Sequence, residues 1–252
     1  MEKMPHILLD KQDACKYALL PGDPARLDRI AEHMEQVHEL AYNREFRSIK
    51  GYYQGVEIMA VSTGIGGPST AIVVEELHQL GVENMIRIGS CGALQKHMHV
   101  GDIVLVSAAI RDDGTSKTYI DTVYPAVADF SLLQACQESA LDHAFPHHVG
   151  IARSHDSFYI DDKKEIYDFW KIKGVLASDM ETAALFVVGG LRGVHCASIL
   201  NVVVASDDEL QEQINHYTQG VNLSAVGEKN EILTALDAFV RIEKKHVKER
   251  YL

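Results

Sequence analysis

The sequence is short of the residues that staple or anchor a chain. Only four cysteines occur, Cys15, Cys91, Cys136 and Cys196. None forms a CxxC pair, which argues against a disulfide framework or structural zinc site and for free thiols in a reducing compartment. Proline is scarce, at six residues against 18 glycines. Both are scattered as punctuation, and no linker, low-complexity tract or internal repeat is visible. No apolar run approaches the ~18–20 residues of a membrane span. The start, Met1-Glu2-Lys3-Met4-Pro5-His6, lacks the regions of a secretory leader, so a soluble, cytoplasmic protein is expected. Basic residues are in deficit too, with 24 Lys+Arg against 36 Asp+Glu and a formal net charge of −12. That balance disfavours nucleic-acid binding, because phosphate backbones recruit Lys/Arg surfaces. An anionic ligand would need local basic groups that overcome an unfavourable overall field.

What is present is a globular composition, 46% hydrophobic and 24% charged over 252 residues. Near-continuous apolar runs suggest strands buried on both faces: Tyr17–Leu20, Val56–Ser62, Met85–Ile88, Ile103–Ala108 and His195–Val204. Helical patterns lie between them. One is expected over Pro24–Glu35 behind an Asp23 cap, one over Ser69–Leu80, and one over Asp129–His143 with Asp129 as cap. A buried helix is expected over Met180–Leu191, and an amphipathic one from Leu223 to a charged, solvated C-terminus. Strands alternating with helices predict a single α/β domain over 1–252 around a mostly parallel sheet.

Several segments carry chemistry. Leu20-Pro21-Gly22-Asp23-Pro24-Ala25-Arg26 runs from a strand end into a helix start, where backbone N–H groups make a natural anion site. It also reads as an ordinary turn with a surface arginine. Ser62-Thr63-Gly64-Ile65-Gly66-Gly67-Pro68-Ser69 approximates a dinucleotide fingerprint, but Ser69 replaces the last glycine and Glu83 precedes the next strand instead of ending it. A tight structural turn reads as well there as a ligand loop. In Arg87-Ile88-Gly89-Ser90-Cys91-Gly92, an arginine inside an apolar strand needs an anionic partner, either a ligand or a structural carboxylate. Arg44 sits among aromatics and could serve the same purpose; arginine forks suit phosphate or carboxylate. Asp179 and Glu181 precede an apolar helix, as caps or as a carboxylate for sugar hydroxyls. Asp207, closing the most hydrophobic strand in Ser206-Asp207-Asp208, is a candidate general acid or a helix cap. The 13 histidines show no zinc spacing, and His6, Phe158 and Tyr159 are uninformative taken singly.

Together these segments resemble the nucleoside phosphorylase family of hexameric purine nucleoside phosphorylases and uridine phosphorylases. The resemblance rests on Pro21-Gly22-Asp23-Pro24-x-Arg26, Asn43-Arg44-Glu45, Ser62–Ser69, Arg87–Gly92, Pro125–Phe130 and Met180-Glu181-x-Ala183-Ala184, in that order along nearly the whole chain. It implies a three-layer αβα sandwich around a mixed, partly barrel-like sheet. It implies Gly22, Arg26, Arg87 and Ser90 as phosphate ligands, with Arg44 reaching in from a neighbouring subunit. It places Met180 and Glu181 at the ribose, His6 of the neighbour near the 5′ hydroxyl, and Phe158 beside the base. Arg87 would also be catalytic through the phosphate it holds. No metal or organic cofactor is implied, inorganic phosphate being a co-substrate, and the expected assembly is a homo-oligomer with shared sites, commonly a hexamer built from dimers. For the base, Ser206-Asp207 matches the acid of the purine enzymes. The Gln-x-Arg pair with which uridine phosphorylases read uracil is absent after Phe158-Tyr159, where Ile160-Asp161-Asp162-Lys163-Lys164-Glu165 follows. Both favour a purine nucleoside. Ser62–Ser69 and Pro125–Phe130, however, read at least as much like uridine phosphorylases. Two positions depart from the pattern: Asp179 stands where the family commonly has Glu, and Gly220 where the purine enzymes carry an arginine that helps activate the acid.

Overall fold

The apolar runs become strands whose alternate residues face two separate cores. In the first, β1 (Tyr17–Pro21), Ala18 and Leu20 enter one core while Tyr17 and Leu19 enter the other. This period of two explains why the run carries no polar residue: both faces are covered. The computed structural model describes residues 3–206 and 210–250, with side chains placed for 3–206, 223–245 and 247. After β1 come α1 (Arg26–Ala31), β2 (Glu35–Asn43), β3 (Phe46–Tyr53), β4 (Val56–Val61), α2 (Gly67–Leu80) and β5 (Asn84–Ala93). They are followed by β6 (Ile103–Asp112), α3 (Gly114–Tyr119), β7 (Ala126–Val127), α4 (Phe130–Asp142), β8 (His147–His155) and α5 (Lys163–Lys171). The chain ends with β9 (Ala177–Asp179), α6 (Thr182–Leu191), β10 (His195–Val204) and α7 (Leu210–Arg250).

These strands form one mixed sheet. Its order is β10-β6-β8-β9-β5-β1-β4-β3-β2, and β10 also pairs with β5. That extra pairing closes β5, β10, β6, β8 and β9 into a small barrel, from which β1, β4, β3 and β2 extend as an open wing. Helices α2 and α6 pack on one side through Val73, Val74, Leu77, Leu185 and Val188. On the other side α1, α4 and α7 contribute Leu27, Ile30, Leu132, Leu236 and Phe239. The result is the expected three-layer α/β architecture with a partly closed sheet. Strands β1, β4, β5 and β10 run parallel, so their carboxyl ends meet at one edge of the barrel.

Several local expectations hold in detail. The Asp129 carboxylate caps α4 by accepting from the Leu132 N–H at 2.8 Å. α6 is buried on all sides from Thr182 to Gly189. β10 spans the whole of its predicted run. The helix expected over Pro24–Glu35 is shorter: it stops at Ala31, and tightened turns from His33 and Met34 to the Ile30 and Ala31 carbonyls swing the chain into β2. Asp23 receives the Ala25 N–H at 2.9 Å, but the N-cap position is Ala25. The final helix begins at Leu210, well before Leu223. The hairpin β2–β3 carries no period that marks it in sequence, because β2 lies at the sheet edge with largely exposed residues.

Candidate active site

The converging strand ends open into a cavity of about 990 Å³, at the place where ligands sit in open α/β sheets. Gly22, Arg26, Arg87, Ser90, Phe158, Asp179, Met180 and Glu181 all line it. At its floor, the turns after β1 and β4 lie side by side. The Thr63 N–H donates to the Pro21 carbonyl at 2.8 Å, and the Gly64 N–H to the Gly22 carbonyl at 3.0 Å. A side chain at Gly22 would come within 3.2 Å of the Gly64 carbonyl oxygen, so close approach explains this glycine.

Arg87 is the centre of the site. It is buried, at 4% exposure, and its guanidinium bridges two carboxylates. Nε donates to Asp179 Oδ2 at 3.2 Å and Nη2 to Glu181 Oε2 at 2.5 Å. Burial works against its charge, but the Glu181 and Asp179 carboxylates outweigh that and hold its pKa above the ordinary arginine value. The two acids divide their work. Asp179 Oδ2 also accepts from the Thr182 N–H at 3.0 Å and hydroxyl at 2.6 Å, so it caps α6. Its Oδ1 accepts from the Ser154 hydroxyl at 2.5 Å. Glu181 Oε1 accepts from the Gly66 N–H at 2.6 Å. Burial raises the Glu181 pKa while Arg87 opposes the rise. Its described partners are all donors, so it serves as a carboxylate. The Ser62–Ser69 loop thus holds Glu181 through Gly66, whose φ of 92° favours glycine.

Gly89 is the second glycine with a clear reason. A Cβ there would overlap the Arg87 guanidinium, which is pinned between two acids and cannot give way. Forcing an extra carbon into a packed site costs about 1–3 kcal/mol, so Gly89→Ala is expected to lower Tm by roughly 2–12 °C. A melting curve checks this; an unchanged Tm would show that Arg87 is freer than its contacts indicate.

Arg26 is buried beside this centre. Its Nε donates to Glu228 Oε2 at 2.9 Å and its Nη1 to the Ile88 carbonyl at 3.3 Å, with Glu231 Oε1 3.2 Å from the same nitrogen. Arg29 joins Glu228 as well. Neither glutamate was singled out in the sequence, yet a signal exists. The apolar stripe of α7 runs through Ile232, Ala235, Leu236 and Phe239, and Glu228 and Glu231 continue its helical spacing toward the N-terminus. Acids on a buried stripe need partners. His155 was also missed: it is buried, lines the cavity, and is held toward its neutral form by burial and by Arg153. Lys163 and Tyr167 of α5 form an outer wall with Phe158, Lys163 Nζ lying 4.9 Å from the centre of the Phe158 ring.

Two expected residues lie away from this cavity. Arg44 is exposed at the tip of the β2–β3 hairpin with φ 56°. His6 places Nδ1 2.6 Å from Glu76 Oε1 on α2. They are neighbours of each other, since Asn43 Nδ2 donates to the His6 carbonyl at 2.8 Å. Asp207 lies outside the described residues; the preceding Ala205 and Ser206 line the cavity. Among the described residues, no group of three or more His, Cys, Asp or Glu is placed to hold a metal, and no helix is long and apolar enough to cross a membrane.

The phosphorylase superfamily model matches residues 16–239. The chain belongs to this family. It is 41% identical over 223 residues to a guanosine phosphorylase of Halorubrum lacusprofundi, covering 84% of this chain and 92% of that one. It is 38% identical over 209 residues to a uridine phosphorylase of Thermococcus kodakarensis, covering 78% and 76%. Among solved structures, a uridine phosphorylase of Vibrio fischeri superposes with a TM-score of 0.91 at 43% identity, over 95% of this chain and 97% of that one. A purine nucleoside phosphorylase of Toxoplasma gondii, in complex with immucillin-H, gives a TM-score of 0.88 at 31% identity over 97% and 98%. The fold and superfamily read from the motifs are thus confirmed, and both base classes stand among the relatives.

Proposed function

We propose that this phosphorylase acts on a purine nucleoside, using inorganic phosphate to break the N-glycosidic bond and release free base and ribose 1-phosphate. One observation carries the reading: a single cavity holds an arginine and glycine-turn end, with Gly22, Arg26, Arg87 and Ser90, and a carboxylate and aromatic end, with Met180, Glu181 and Phe158. The Arg87–Glu181 pair joins the two ends. Phosphate held by the arginines lies where an oxygen can attack C1′ as the C1′–N bond breaks. The sugar passes through an oxocarbenium-like state that the adjacent anion stabilises, with no cofactor in the step. Glu181 accepts from the 2′ and 3′ hydroxyls, and Phe158 flanks the base. Asp207 supplies the proton or hydrogen bond that the departing base needs.

Arg44 and His6 complete the site of a neighbouring copy. Their support is that both sit on one surface beside Asn43, outside their own chain's cavity. A homo-oligomer of dimers sharing sites, commonly a hexamer in the family, would bring these residues to a neighbour's cavity, and a cytoplasmic enzyme fits its substrates.

The purine assignment draws on Ser206-Asp207 and on Ile160–Glu165, which lacks the uracil-reading pair. Uridine is the second reading, favoured by the Ser62–Ser69 and Pro125–Phe130 segments. A phosphorolysis panel of inosine, guanosine, adenosine and uridine, with and without phosphate, decides. Phosphate-dependent release of a purine base is expected. Strong uridine turnover without purine turnover would overturn the base assignment, and equal turnover without phosphate would make the protein a hydrolase.

A further inference from the structure

One wall of the cavity carries positive charge away from the arginines. Helix α5 presents Lys163, Lys164, Tyr167, Asp168 and Lys171 to it. Lys163, Tyr167 and Lys171 are four apart, as are Lys164 and Asp168, so a single helical face looks inward. The face is divided. Lys164 Nζ pairs with Asp168 Oδ2 at 2.6 Å, and each charge compensates the other. Lys163 has a different setting: among the described residues it makes no ion pair, and its sequence neighbours Asp161, Asp162 and Glu165 do not line the cavity. Its Nζ lies instead 4.9 Å from the centre of the Phe158 ring and 5.3 Å from that of Tyr167. Aromatic faces hold an ammonium electrostatically and leave its hydrogen bonds for another group. That group must be an acceptor, because an ammonium has three N–H donors and nothing to accept with.

Position sets which acceptor it meets. Arg26, Arg87, Gly22 and Ser90 gather at the ends of β1 and β5, and Glu181 is fixed to the loop between β4 and α2. Lys163 comes from the opposite, outer wall, beside the ring of Phe158. A nucleoside whose phosphate partner sits at the arginines and whose ribose meets Glu181 turns the outer edge of its base to this wall. Bases differ sharply along that edge. A 6-oxopurine shows two adjacent acceptors, O6 and N7, whereas adenine shows N7 beside an N6 amino donor. Among pyrimidines a carbonyl O4 is replaced in the same way by an N4 amino group. A cation with donors alone suits the oxo edge and opposes the amino one.

We propose that Lys163 is a specificity-determining residue that selects nucleosides with a carbonyl oxygen at the outer edge of the base, 6-oxopurines ahead of 6-aminopurines. The contact strengthens as the C1′–N bond breaks, since negative charge on the departing base spreads to that oxygen and meets the ammonium. Lys163 transfers no proton, and Asp207 keeps the role given above. The inference deepens the purine reading and rests on the nucleoside lying with its base at Phe158.

Lys163→Met keeps the apolar stem against both rings and removes the donors. Because α5 has no buried residue, the variant should fold, with Tm moved by about 2 °C or less. Initial rates give kcat/KM for inosine and adenosine at saturating phosphate, and the KM for phosphate with inosine. The natural protein should favour inosine. In Lys163→Met the inosine value should fall roughly 10–100-fold, the range for a hydrogen bond to a charged group, while adenosine and the KM for phosphate change little. Lys163→Arg, also a pure donor, should retain the preference. Adenosine that is not cleaved is measured as a competitive inhibitor of inosine, so the ratio is obtained either way. Equal losses with inosine and adenosine, or a loss that appears in the KM for phosphate, would overturn the role of Lys163. So would a natural protein that treats the two nucleosides alike. If uridine is the nucleoside cleaved, the purine reading falls, and the ratio of uridine to cytidine decides Lys163 on the same terms. Absence of phosphate-dependent cleavage with all four would overturn the nucleoside reading of the cavity, and this inference with it.

Discussion

Arg87→Met should lower kcat/KM for phosphorolysis by roughly 10³, with most of the loss carried by phosphate. Preorganised donors at a developing charge are each worth on the order of 10²–10³ in rate, and Arg87 joins that function to a structural one. Its guanidinium pairs Asp179 and Glu181, which are almost fully enclosed. Removing it leaves two carboxylates in a dry site, and breaking a buried ion pair costs about 3–5 kcal/mol. At about 2–4 °C per kcal/mol for a chain of this size, Tm should fall by roughly 6–20 °C. The pH dependence of that loss has a defined sign. Without Arg87 the burial that raises the Glu181 pKa is unopposed, so the folded state binds a proton the unfolded state releases, and the variant recovers stability as pH falls. Arg87→Lys should not rescue activity, because one ammonium cannot span both acids and still face an anion. Melting curves at pH 5.5 and 8 and a phosphate saturation series check these points together. If Arg87→Met kept the natural KM for phosphate while melting early, Arg87 would be a structural pair and not a ligand of the anion.

The sequence reading succeeded where physics acts locally. A run such as His195–Val204, near-continuously apolar and rich in β-branched residues, suggests a strand buried on both faces, and it is one throughout. Asp129 reads as a cap because the bond it makes spans three residues. Arg87 reads as a residue in need of an anionic partner because charge inside an apolar strand demands one, and it has two in Asp179 and Glu181. The reading ran out where the answer lies far along the chain. Nothing near Arg26 announces Glu228 and Glu231, which arrive from α7 some two hundred residues later. The polar β2 becomes a strand by pairing with β3, a tertiary effect that local propensity does not carry. The barrel closure depends on β10 meeting β5 and β6 at once, which no pattern within β10 encodes. The positions of Arg44 and His6 illustrate the same limit. Their motifs match the family, but one chain's geometry sets them apart from the cavity that the motifs concern.

The acidic surplus of the chain takes on a local meaning in this setting. The −12 net charge is mostly surface, and surface charges beyond about a Debye length, ~8–10 Å, are screened. The acids that matter for an anion are the few packed against Arg26 and Arg87. They fix the arginine forks in place before substrate arrives, which reduces the ordering cost of binding. They also dilute the positive charge on offer.

Glu181→Gln should reduce kcat/KM for a ribonucleoside by roughly 10²–10³ and for the 2′-deoxynucleoside by distinctly less. The substitution preserves size but not hydrogen bonding. Glu181 uses both oxygens, Oε1 for the Gly66 N–H and Oε2 for Arg87 Nη2 and, at 3.3 Å, the Met180 N–H. A glutamine has one oxygen, so in either orientation its NH₂ group meets a donor. A buried donor left unsatisfied costs about 1–3 kcal/mol. Arg87 then relies on Asp179 alone, and the loop that presents Gly66 loses its anchor. Those losses fall equally on both substrates. The sugar contact does not, because a carboxylate accepts from two neighbouring hydroxyls, whereas the deoxysugar presents only the 3′ hydroxyl. The ratio of ribo to deoxy kcat/KM therefore isolates sugar recognition from the damage to Arg87, and it should move toward unity. A fall of both substrates by the same factor, with a raised KM for phosphate, would assign Glu181 to holding Arg87 and remove it from the ribose.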